Sequence, residues 1–290
     1  MKKWIAVIML IALCESLFSQ EEKTLKCNFK YEVVSTGQTS KLKLICLVPQ
    51  DNDNVQKINS INYSIQPDNI FYKSGNKYVQ FILDNLSHKT EIVISVVLRL
   101  FVNDLSTNIE NKKALNDTLV NFLNSEKYIE KDNKKITKTA LKLQANTQEK
   151  TVQKIYTFVN QKIEYTGYNP TDIGATKALS TKQGDCTEFS DLFVALCRAN
   201  NIPARVVEGM VTDYKNTAKH IWTEVYFDKY GWIRFDPTPG NSSTFKRMEN
   251  KYIQLSIVRN DEILNNYHYW VYWYWGAPVE IKEYFEIENE

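Results

Sequence analysis

Three short motifs carry, in chain order, a thiol, an imidazole and a carboxylate. They are Gly-Asp-Cys ending at Cys186, His-Ile-Trp beginning at His220, and Asp-Pro-Thr beginning at Asp236. A cysteine nucleophile has to be ionised and paired with a base, and a third group has to orient that base. These residue types, in this order, indicate acyl transfer with Cys186 as nucleophile, His220 as base and Asp236 as the orienting carboxylate.

Cys186 stands at the predicted start of a helix. Asp185, followed three residues later by Glu188, matches a capping box. The apolar residues that follow recur at helical spacing, at Phe189, Leu192, Phe193 and Leu196. A cysteine in the first turn lies against unpaired backbone N–H groups and the positive end of the helix dipole, which favour the thiolate and stabilise an oxyanion. A small core residue at a helix start is the other interpretation of this position.

His220 and Asp236 lie on the two arms of a predicted hairpin. Strand-like segments cover 219–227 and 231–236, and side chains two residues apart share one face of a strand. A turn centred on Asp228 pairs the histidine with the aspartate, and a register shifted by two residues keeps them diagonal on one face. The pattern predicts an imidazole–carboxylate contact. The alternatives are an isolated structural histidine and an aspartate that only ends a strand.

Other chemistry-bearing patterns are weaker. The remaining histidines, His88 and His268, lie in segments without such partners. Candidate substrate or cleft residues are Trp222, Gln183 and Asp185, and Trp222 either walls the site or packs in the core. No cluster of His, Cys and carboxylate residues has metal-ligand spacing, and no glycine-rich phosphate loop is present. We therefore expect neither a metal nor a cofactor.

The motifs and their surroundings resemble the transglutaminase-like superfamily, whose papain-like core carries a Cys–His–Asp triad. The resemblance runs through residues 151–165, 178–186, 192–209, 220–225 and 231–239. It implies that Cys186, His220 and Asp236 form the triad, and that the helix bearing the cysteine packs on an antiparallel sheet bearing the histidine and the aspartate. Asn201 stands where the related motif usually has glycine, at a left-handed backbone position that asparagine tolerates.

The predicted fold class is α+β, and the chain divides into four regions after a leader segment over 1–19. Residues 20–105 contain strand-like runs separated by turn residues, which predict a β-sandwich-like domain. Such a domain often precedes a transglutaminase-like core in bacterial proteins, although this resemblance is weaker. Residues 106–149 are predicted to form a helical connector, 150–240 the catalytic core, and 241–290 an aromatic-rich extension packing on the core.

The aromatic run in the last region has two interpretations. Ile263, Tyr267, Trp270 and Tyr274 follow a helical face, which predicts a helix packed on the core or on the β domain. The alternative is an aromatic platform that binds a glycan or a peptide.

The leader segment over 1–19 has the pattern of an export signal. Lys2 and Lys3 give a positive start, an apolar run follows over 4–13, and polar residues follow over 16–19. The run is too short to span a bilayer comfortably. We expect cleavage after Ser19, with a lipoprotein acylated at Cys14 as the alternative. The mature protein is then periplasmic or secreted.

Export makes disulfides relevant. Strand-like segments over 27–34 and 42–48 predict a hairpin that sets Cys27 opposite Cys46, either as a disulfide or as two buried free thiols. Cys186 and Cys197 fall on one predicted helix, about 16 Å apart along its axis. Because this exceeds disulfide reach, we expect Cys186 to be free.

The composition gives no reason to expect a nucleic-acid partner. The chain has 290 residues, of which 43% are hydrophobic, and a formal net charge of +2. Such a chain forms sizeable cores and lacks the basic excess of nucleic-acid-binding domains. No stretch after the leader segment approaches transmembrane length. The expected partner is a protein or peptide substrate, and the sequence does not indicate the oligomeric state.

These patterns together predict an exported cysteine-dependent enzyme that forms a thioester acyl-enzyme from peptide or carboxamide bonds. Hydrolysis, as by a peptidase or amidase, is favoured because no insertion or calcium site of the animal cross-linking type is visible. Acyl transfer to an amine, as by a protein-glutamine transglutaminase, is the alternative within the same chemistry. A non-catalytic binding or scaffold protein with a relic papain-like core is the alternative of another class.

Overall fold

The computed structural model describes residues 21–53, 55–86, 89–105, 117–214 and 218–288. The predicted export signal over 1–19, its cleavage site and the alternative acylation site Cys14 lie outside the described residues, as does His88. Within these ranges no helix is both long enough and apolar enough to cross a bilayer.

The described chain contains strands at both ends and helices in the middle. In chain order the strands are β1 (Glu22–Ser35), β2 (Thr39–Val48), β3 (Gln56–Tyr63), β4 (Asn69–Lys73), β5 (Asn76–Leu86), β6 (Lys89–Phe101), β7 (Asn103–Asp104), β8 (Glu164–Tyr165), β9 (Gln183–Gly184), β10 (Ala204–Val211), β11 (Lys219–Phe227), β12 (Gly231–Phe235), β13 (Arg247–Met248), β14 (Tyr252–Ser256), β15 (Trp270–Gly276) and β16 (Val279–Glu288). The helices are a 3₁₀ helix over Asp117–Leu123, α1 (Lys134–Leu143), α2 (Gln148–Lys162), α3 (Gly174–Thr181) and α4 (Cys186–Ala199).

Two four-stranded antiparallel sheets form a β-sandwich. Their strand orders are β16-β1-β6-β3 and β15-β2-β5-β4. Alternate residues of β1 and β2 point into the space between the sheets and are buried there, because successive side chains of a strand face opposite sides. The interior is a continuous apolar core, and the predicted β-sandwich-like region is present.

The predicted hairpin of Cys27 and Cys46 is wrong. The turn after β1 carries the chain from one sheet to the other, so β1 pairs with β6 and β16 while β2 pairs with β5 and β15. Both cysteines are buried in the sandwich as free thiols, and the predicted disulfide is not formed. Burial raises the pKa of the Cys27 thiol to about 12, which keeps it protonated and unreactive.

The aromatic run near the end of the chain is a strand rather than a helix. Trp270–Gly276 forms β15, which pairs with β2 at the edge of one sheet, and β16 pairs with β1 at the edge of the other. Aromatic residues favour strands. This preference, together with pairing to β2, outweighed the helical spacing of Ile263, Tyr267, Trp270 and Tyr274. Residues 270–288 therefore complete the β-sandwich, whereas β14, earlier in the region over 241–290, joins the core sheet as expected for a segment that packs on the core. On β15, Trp273 and Trp275 remain partly exposed.

Helices packed on a third sheet form the core of the molecule. This sheet has the strand order β12-β11-β10-β14, all antiparallel. Helix α4 packs against β10 and β11 and is almost entirely buried from Thr187 to Arg198. Asn201 ends this helix region with a φ of 56°, the left-handed conformation that the sequence predicted. The predicted α+β class, with a β region followed by a helix-and-sheet core, is confirmed.

The core is larger than the predicted range of 150–240. Helix α1, which falls in the predicted connector, buries Ile136 and Ala140 in the same apolar core as α2 and α4. At the other end, β14 adds a fourth strand beyond 240. The connector residues 106–116 lie outside the described residues. The turn and helix patterns predicted too short a core because α1 and β14 join it only through contacts with segments distant in the chain.

Candidate active site

The start of α4 fixes the position of Cys186. The Asp185 side chain accepts a hydrogen bond from the backbone N–H of Thr187 at 2.8 Å, and the Glu188 carboxylate accepts one from the backbone N–H of Asp185 at 3.1 Å. This is the predicted capping box. A Cβ atom on Gly184 would lie 2.4 Å from the Cβ of Glu188, so the close approach requires glycine. Cys186 is therefore held in the first turn of the helix, where it is partly exposed.

His220 and Asp236 are in direct contact. His220 lies on β11 and Asp236 directly follows β12, and His220 Nε2 is 2.8 Å from Asp236 Oδ2. The β11–β12 register pairs Tyr226 with Trp232, two residues from the register centred on Asp228, and it keeps both side chains on one face. Both groups are buried, with exposed fractions of 4% and 0%.

The imidazole of His220 also forms a side-chain hydrogen bond with Cys186. Because Nε2 faces Asp236, the other ring nitrogen, Nδ1, is the one available to the thiol. The structure thus brings together the three residues that the sequence singled out. A buried carboxylate holds the imidazole, and the imidazole holds the sulfur, which is the arrangement of a Cys–His–Asp triad.

The electrostatics of the site favour a protonated histidine. Burial lowers the pKa of His220, but the charge and hydrogen bond of Asp236 and the hydrogen bond with Cys186 outweigh it and raise the pKa to about 10. An imidazolium next to a cysteine stabilises the thiolate. The first-turn amides of α4 and the positive end of its dipole act in the same direction. The site can therefore supply both a nucleophile and a proton donor.

The carboxylate of Asp236 has further partners that sequence reasoning missed. Oδ1 accepts a hydrogen bond from the backbone N–H of Thr238 at 3.1 Å, and Oδ2 accepts one from the hydroxyl of Tyr252 at 2.9 Å. Ser243 Oγ is 2.8 Å from the same tyrosine hydroxyl. Tyr252 lies on β14, beyond the predicted core, and it is one of 17 tyrosines in the chain. Nothing in its local sequence marks it as a neighbour of the triad.

The three candidate cleft residues have different positions. Trp222 is fully buried, with its ring nearly parallel to that of His220 at 6.3 Å between centroids, so it packs behind the base and does not wall the cleft. Asp185 is also buried and serves the helix start, where it additionally accepts a hydrogen bond from the backbone N–H of Asn169. Gln183 is exposed on β9, three residues before the cysteine, so it remains a candidate cleft residue.

Two tyrosines flank the Cys186–His220 pair. The ring of Tyr214 lies edge-on to that of His220 at 5.4 Å between centroids. Tyr165 packs against Phe189 of α4 and is 48% exposed. Burial raises the pKa of both phenols, and the next largest cause is the charge of Cys186 for Tyr165 and that of Asp236 for Tyr214. Both rings therefore lie close enough to the triad to sense its charges.

A second histidine–carboxylate constellation lies elsewhere in the core. His268 Nδ1 is 2.9 Å from Glu208 Oε1, and His268 Nε2 is 3.6 Å from Asp172 Oδ2. Arg259 is 2.9 Å from the same Asp172 and donates two hydrogen bonds to Asp191 at 2.8 and 3.1 Å. The expectation that His268 lacks carboxylate partners is therefore wrong, because the partners come from distant segments. We refer to these five residues as the ionic cluster.

No group of three or more His, Cys, Asp or Glu residues within the described ranges is arranged to hold a metal ion. The thiol, the imidazole and the carboxylate can by themselves supply the nucleophile, the base and the orienting group.

Comparisons with known proteins find similarity to one superfamily over the core. Residues 135–237 match the family model of the transglutaminase-like superfamily. An uncharacterised protein, YebA, from Bacillus subtilis (strain 168) is 38% identical over 87 residues, covering 24% of this chain and 12% of that protein. The peptide-N(4)-(N-acetyl-beta-glucosaminyl)asparagine amidase of Oryza sativa subsp. japonica is 34% identical over 65 residues, covering 22% and 13%. The chain thus spans only a small part of either relative.

One solved structure resembles nearly the whole chain. It is that of a candidate cysteine protease from Cytophaga hutchinsonii, with a TM-score of 0.64, 20% identity and 94% coverage of both chains. At this identity the likeness concerns the fold, and it includes the β-sandwich as well as the core. The matched region contains Cys186, His220 and Asp236 in the geometry described above. Residues 135–237 of the chain thus form a domain that is similar to the transglutaminase-like superfamily.

Proposed function

We propose that this protein is an exported cysteine-dependent acyl-transfer enzyme that hydrolyses peptide or carboxamide bonds. One observation carries the proposal: Cys186 at the start of α4 is hydrogen-bonded to His220, whose other ring nitrogen lies 2.8 Å from the buried carboxylate of Asp236. A nucleophile, a base and an orienting group in this relation are what covalent acyl transfer needs.

In the first half of the reaction the sulfur of Cys186 attacks the carbonyl carbon, and the carbonyl electrons move onto oxygen. Backbone N–H groups left without a partner in the first turn of α4 can stabilise this developing oxyanion. The imidazolium of His220 then gives its proton to the departing nitrogen as the C–N bond breaks. A free amine leaves, and the acyl group remains on sulfur as a thioester.

In the second half a water molecule attacks the thioester carbon while neutral His220 takes up its proton. The C–S bond breaks, the carboxylic acid leaves, and the thiolate–imidazolium pair is restored. Asp236 stays ionised throughout and stabilises the imidazolium each time it forms. If an amine takes the place of water, the same steps give a new amide.

Two further observations support parts of the proposal. One relative over the matched region is named as an amidase, which favours hydrolysis over transfer to an amine. The leader segment has the charge and apolar pattern of an export signal, which supports an exported protein.

The first test is the pH dependence of iodoacetamide labelling at Cys186, followed by mass spectrometry. We expect labelling that persists at about pH 6 in the wild type and is about a hundredfold slower in His220→Ala, because an isolated thiol is almost wholly protonated there. The buried thiols Cys27, Cys46 and Cys197 serve as internal controls in the same sample. Equal labelling of Cys186 in both folded proteins would overturn the proposal.

The second test separates hydrolysis from transfer. A library of peptides and peptide carboxamides is incubated with the wild type and with Cys186→Ala, with and without an added primary amine. Release of ammonia or of a new carboxylate that depends on Cys186, and that the amine does not divert, supports hydrolysis. Incorporation of the amine in preference to water would assign the transferase reaction instead.

A further inference from the structure

A tyrosine from outside the motif region completes the hydrogen bonding of Asp236. The hydroxyl of Tyr252 donates to Asp236 Oδ2 at 2.9 Å, and the same oxygen contacts His220 Nε2 at 2.8 Å. Oδ1 accepts a hydrogen bond from the backbone N–H of Thr238 at 3.1 Å. Because Asp236 has no exposed surface, these donors stand in for the water that would otherwise stabilise its charge.

The direction of the hydrogen bonds follows from the number of protons. Tyr252 has one hydroxyl proton, and an ionised carboxylate can only accept, so the tyrosine donates to Asp236. Ser243, whose Oγ is 2.8 Å from the same hydroxyl, must then donate to Tyr252. Burial, and then the charge of Asp236, raises the pKa of Tyr252 far above its usual range, so the donor proton is retained at any working pH.

The ring of Tyr252 has a separate packing role. It lies edge-on to Trp222 at 5.2 Å between centroids and contacts the ring of His220 at 6.2 Å. Replacing tyrosine with phenylalanine keeps this packing and removes only the hydroxyl. The two contributions can therefore be separated experimentally.

We propose that Tyr252, oriented by Ser243, is a positioning residue that holds the carboxylate of Asp236 against His220 Nε2. The proposal rests on the acyl-transfer function above, since it concerns the same site. A hydrogen bond to a buried charge stabilises the ionised form more than a bond between neutral groups does. Without the hydroxyl, Asp236 Oδ2 loses one of the two side-chain groups that fix its position. The carboxylate then holds the imidazolium of His220 less firmly, and the imidazolium stabilises the thiolate on Cys186 less.

The test is the full pH profile of iodoacetamide labelling at Cys186 in Tyr252→Phe. We expect the acid limb to move to higher pH by about one unit, with rates near wild type at neutral pH. A merely structural defect would lower the labelling rate at every pH. Ser243→Ala should move the acid limb in the same direction by a smaller amount, because it removes only the group that orients the tyrosine.

Tyr156→Phe is the matched control. Tyr156 is also a buried tyrosine whose pKa is raised by burial and by the charge of Asp236, and its ring packs edge-on against Phe245. We expect its profile to coincide with that of the wild type. An equal shift in Tyr156→Phe, or an unshifted profile in Tyr252→Phe, would overturn the proposal.

The pH profiles can be interpreted only if the variants fold and Cys186 is activated by His220. If Tyr252→Phe does not fold by circular dichroism, Ser243→Ala decides: a raised acid limb supports the proposal and an unchanged profile overturns it. If the wild type and His220→Ala label identically, the acyl-transfer function itself fails and this inference falls with it. If instead the wild type and His220→Ala differ as expected but the Tyr252→Phe profile is unshifted, only the role of Tyr252 is overturned and the acyl-transfer function stands.

Discussion

Both histidines in the described part of the chain are held by carboxylates, and of these two only His220 is hydrogen-bonded to a thiol. His220 contacts Asp236 with Nε2 and is hydrogen-bonded to Cys186. His268 has a carboxylate on each ring nitrogen, Glu208 at 2.9 Å and Asp172 at 3.6 Å. The first histidine has a nitrogen available to a nucleophile, whereas both nitrogens of the second are taken up by charge pairing.

The two sites have the same electrostatic signature. In each, burial lowers the histidine pKa, but the neighbouring carboxylates raise it by more than burial lowers it. The resulting pKa is about 10. A perturbed pKa therefore does not separate a catalytic histidine from a structural one. What distinguishes the two histidines is the group on the second ring nitrogen. For His220 it is the partly exposed sulfur of Cys186, and for His268 it is another carboxylate of the ionic cluster.

Helix α4 contributes to both sites. Its first residue, Cys186, belongs to the triad, and Asp191 on the following turn binds Arg259 of the ionic cluster. The cluster thus ties α4 to the segment after β14 and to the loop before α3. We infer that the cluster stabilises the helix that carries Cys186, whereas the triad is the site of the proposed acyl transfer.

The largest expected difference between the sites is in thiol reactivity. His220→Ala should slow iodoacetamide labelling of Cys186 about a hundredfold at about pH 6. His268→Ala should leave the labelling rate within about twofold of wild type, because His268 does not contact the sulfur. Mass spectrometry of the labelled peptide measures both. A comparable loss in the two variants would remove the distinction between the sites.

The ionic cluster should have the larger effect on stability. Arg259→Met leaves the buried Asp191 without its guanidinium partner and removes one partner of the partly exposed Asp172, and we expect a loss of about 3–5 kcal/mol in the free energy of unfolding. Arg99→Met is the matched control, since the Arg99–Glu22 pair is exposed on both sides and should change stability by less than about 1 kcal/mol. Urea unfolding measures both, and similar losses would contradict the assignment.

Both histidines should make stability depend on alkaline pH. Each has a folded-state pKa of about 10, above the usual value of about 6.5 in an unfolded chain. The stabilisation they give is fully present below the unfolded value and is lost as the pH rises through about 10, because the folded state then binds more protons than the unfolded state. Urea unfolding across this range should show the decline.

His220→Gln and His268→Gln each remove one imidazole, and with it one proton that the folded protein binds between neutral pH and about pH 10. Each variant should therefore show a shallower fall in the free energy of unfolding between neutral and alkaline pH than the wild type does. An unchanged slope in either variant would mean that the histidine concerned is not held as an imidazolium in the folded protein.

The smallest effect is expected at the start of α4. Asp185→Ala removes the capping bond to Thr187 and should cost about 1 kcal/mol of stability. Asp185→Asn, which retains a capping oxygen, should restore most of it. Because the first turn carries Cys186, labelling should also slow in the alanine variant, while the ionic cluster remains intact. Thermal unfolding and labelling of the same samples check both expectations.

Patterns that act over a few residues predicted the local elements that carry Cys186, His220 and Asp236. The capping box at Asp185 and Glu188 and the helical spacing after it indicated where α4 begins. Side-chain alternation on β11 and β12 indicated that His220 and Asp236 share a face, although the actual register is shifted by two residues. These features depend on neighbours in the chain, and short-range geometry largely fixes them.

The sequence by itself determined the order of thiol, imidazole and carboxylate, the helix start that holds Cys186, and the similarity of residues 135–237 to the transglutaminase-like superfamily. The tertiary structure decided that Cys27 and Cys46 lie in opposite sheets, that β15 and β16 complete the sandwich, that Tyr252 binds Asp236, and that His268 has two carboxylate partners. Each of these joins segments far apart in the chain. Such contacts depend on which strands pair and which faces meet, and local propensity and spacing do not specify that choice.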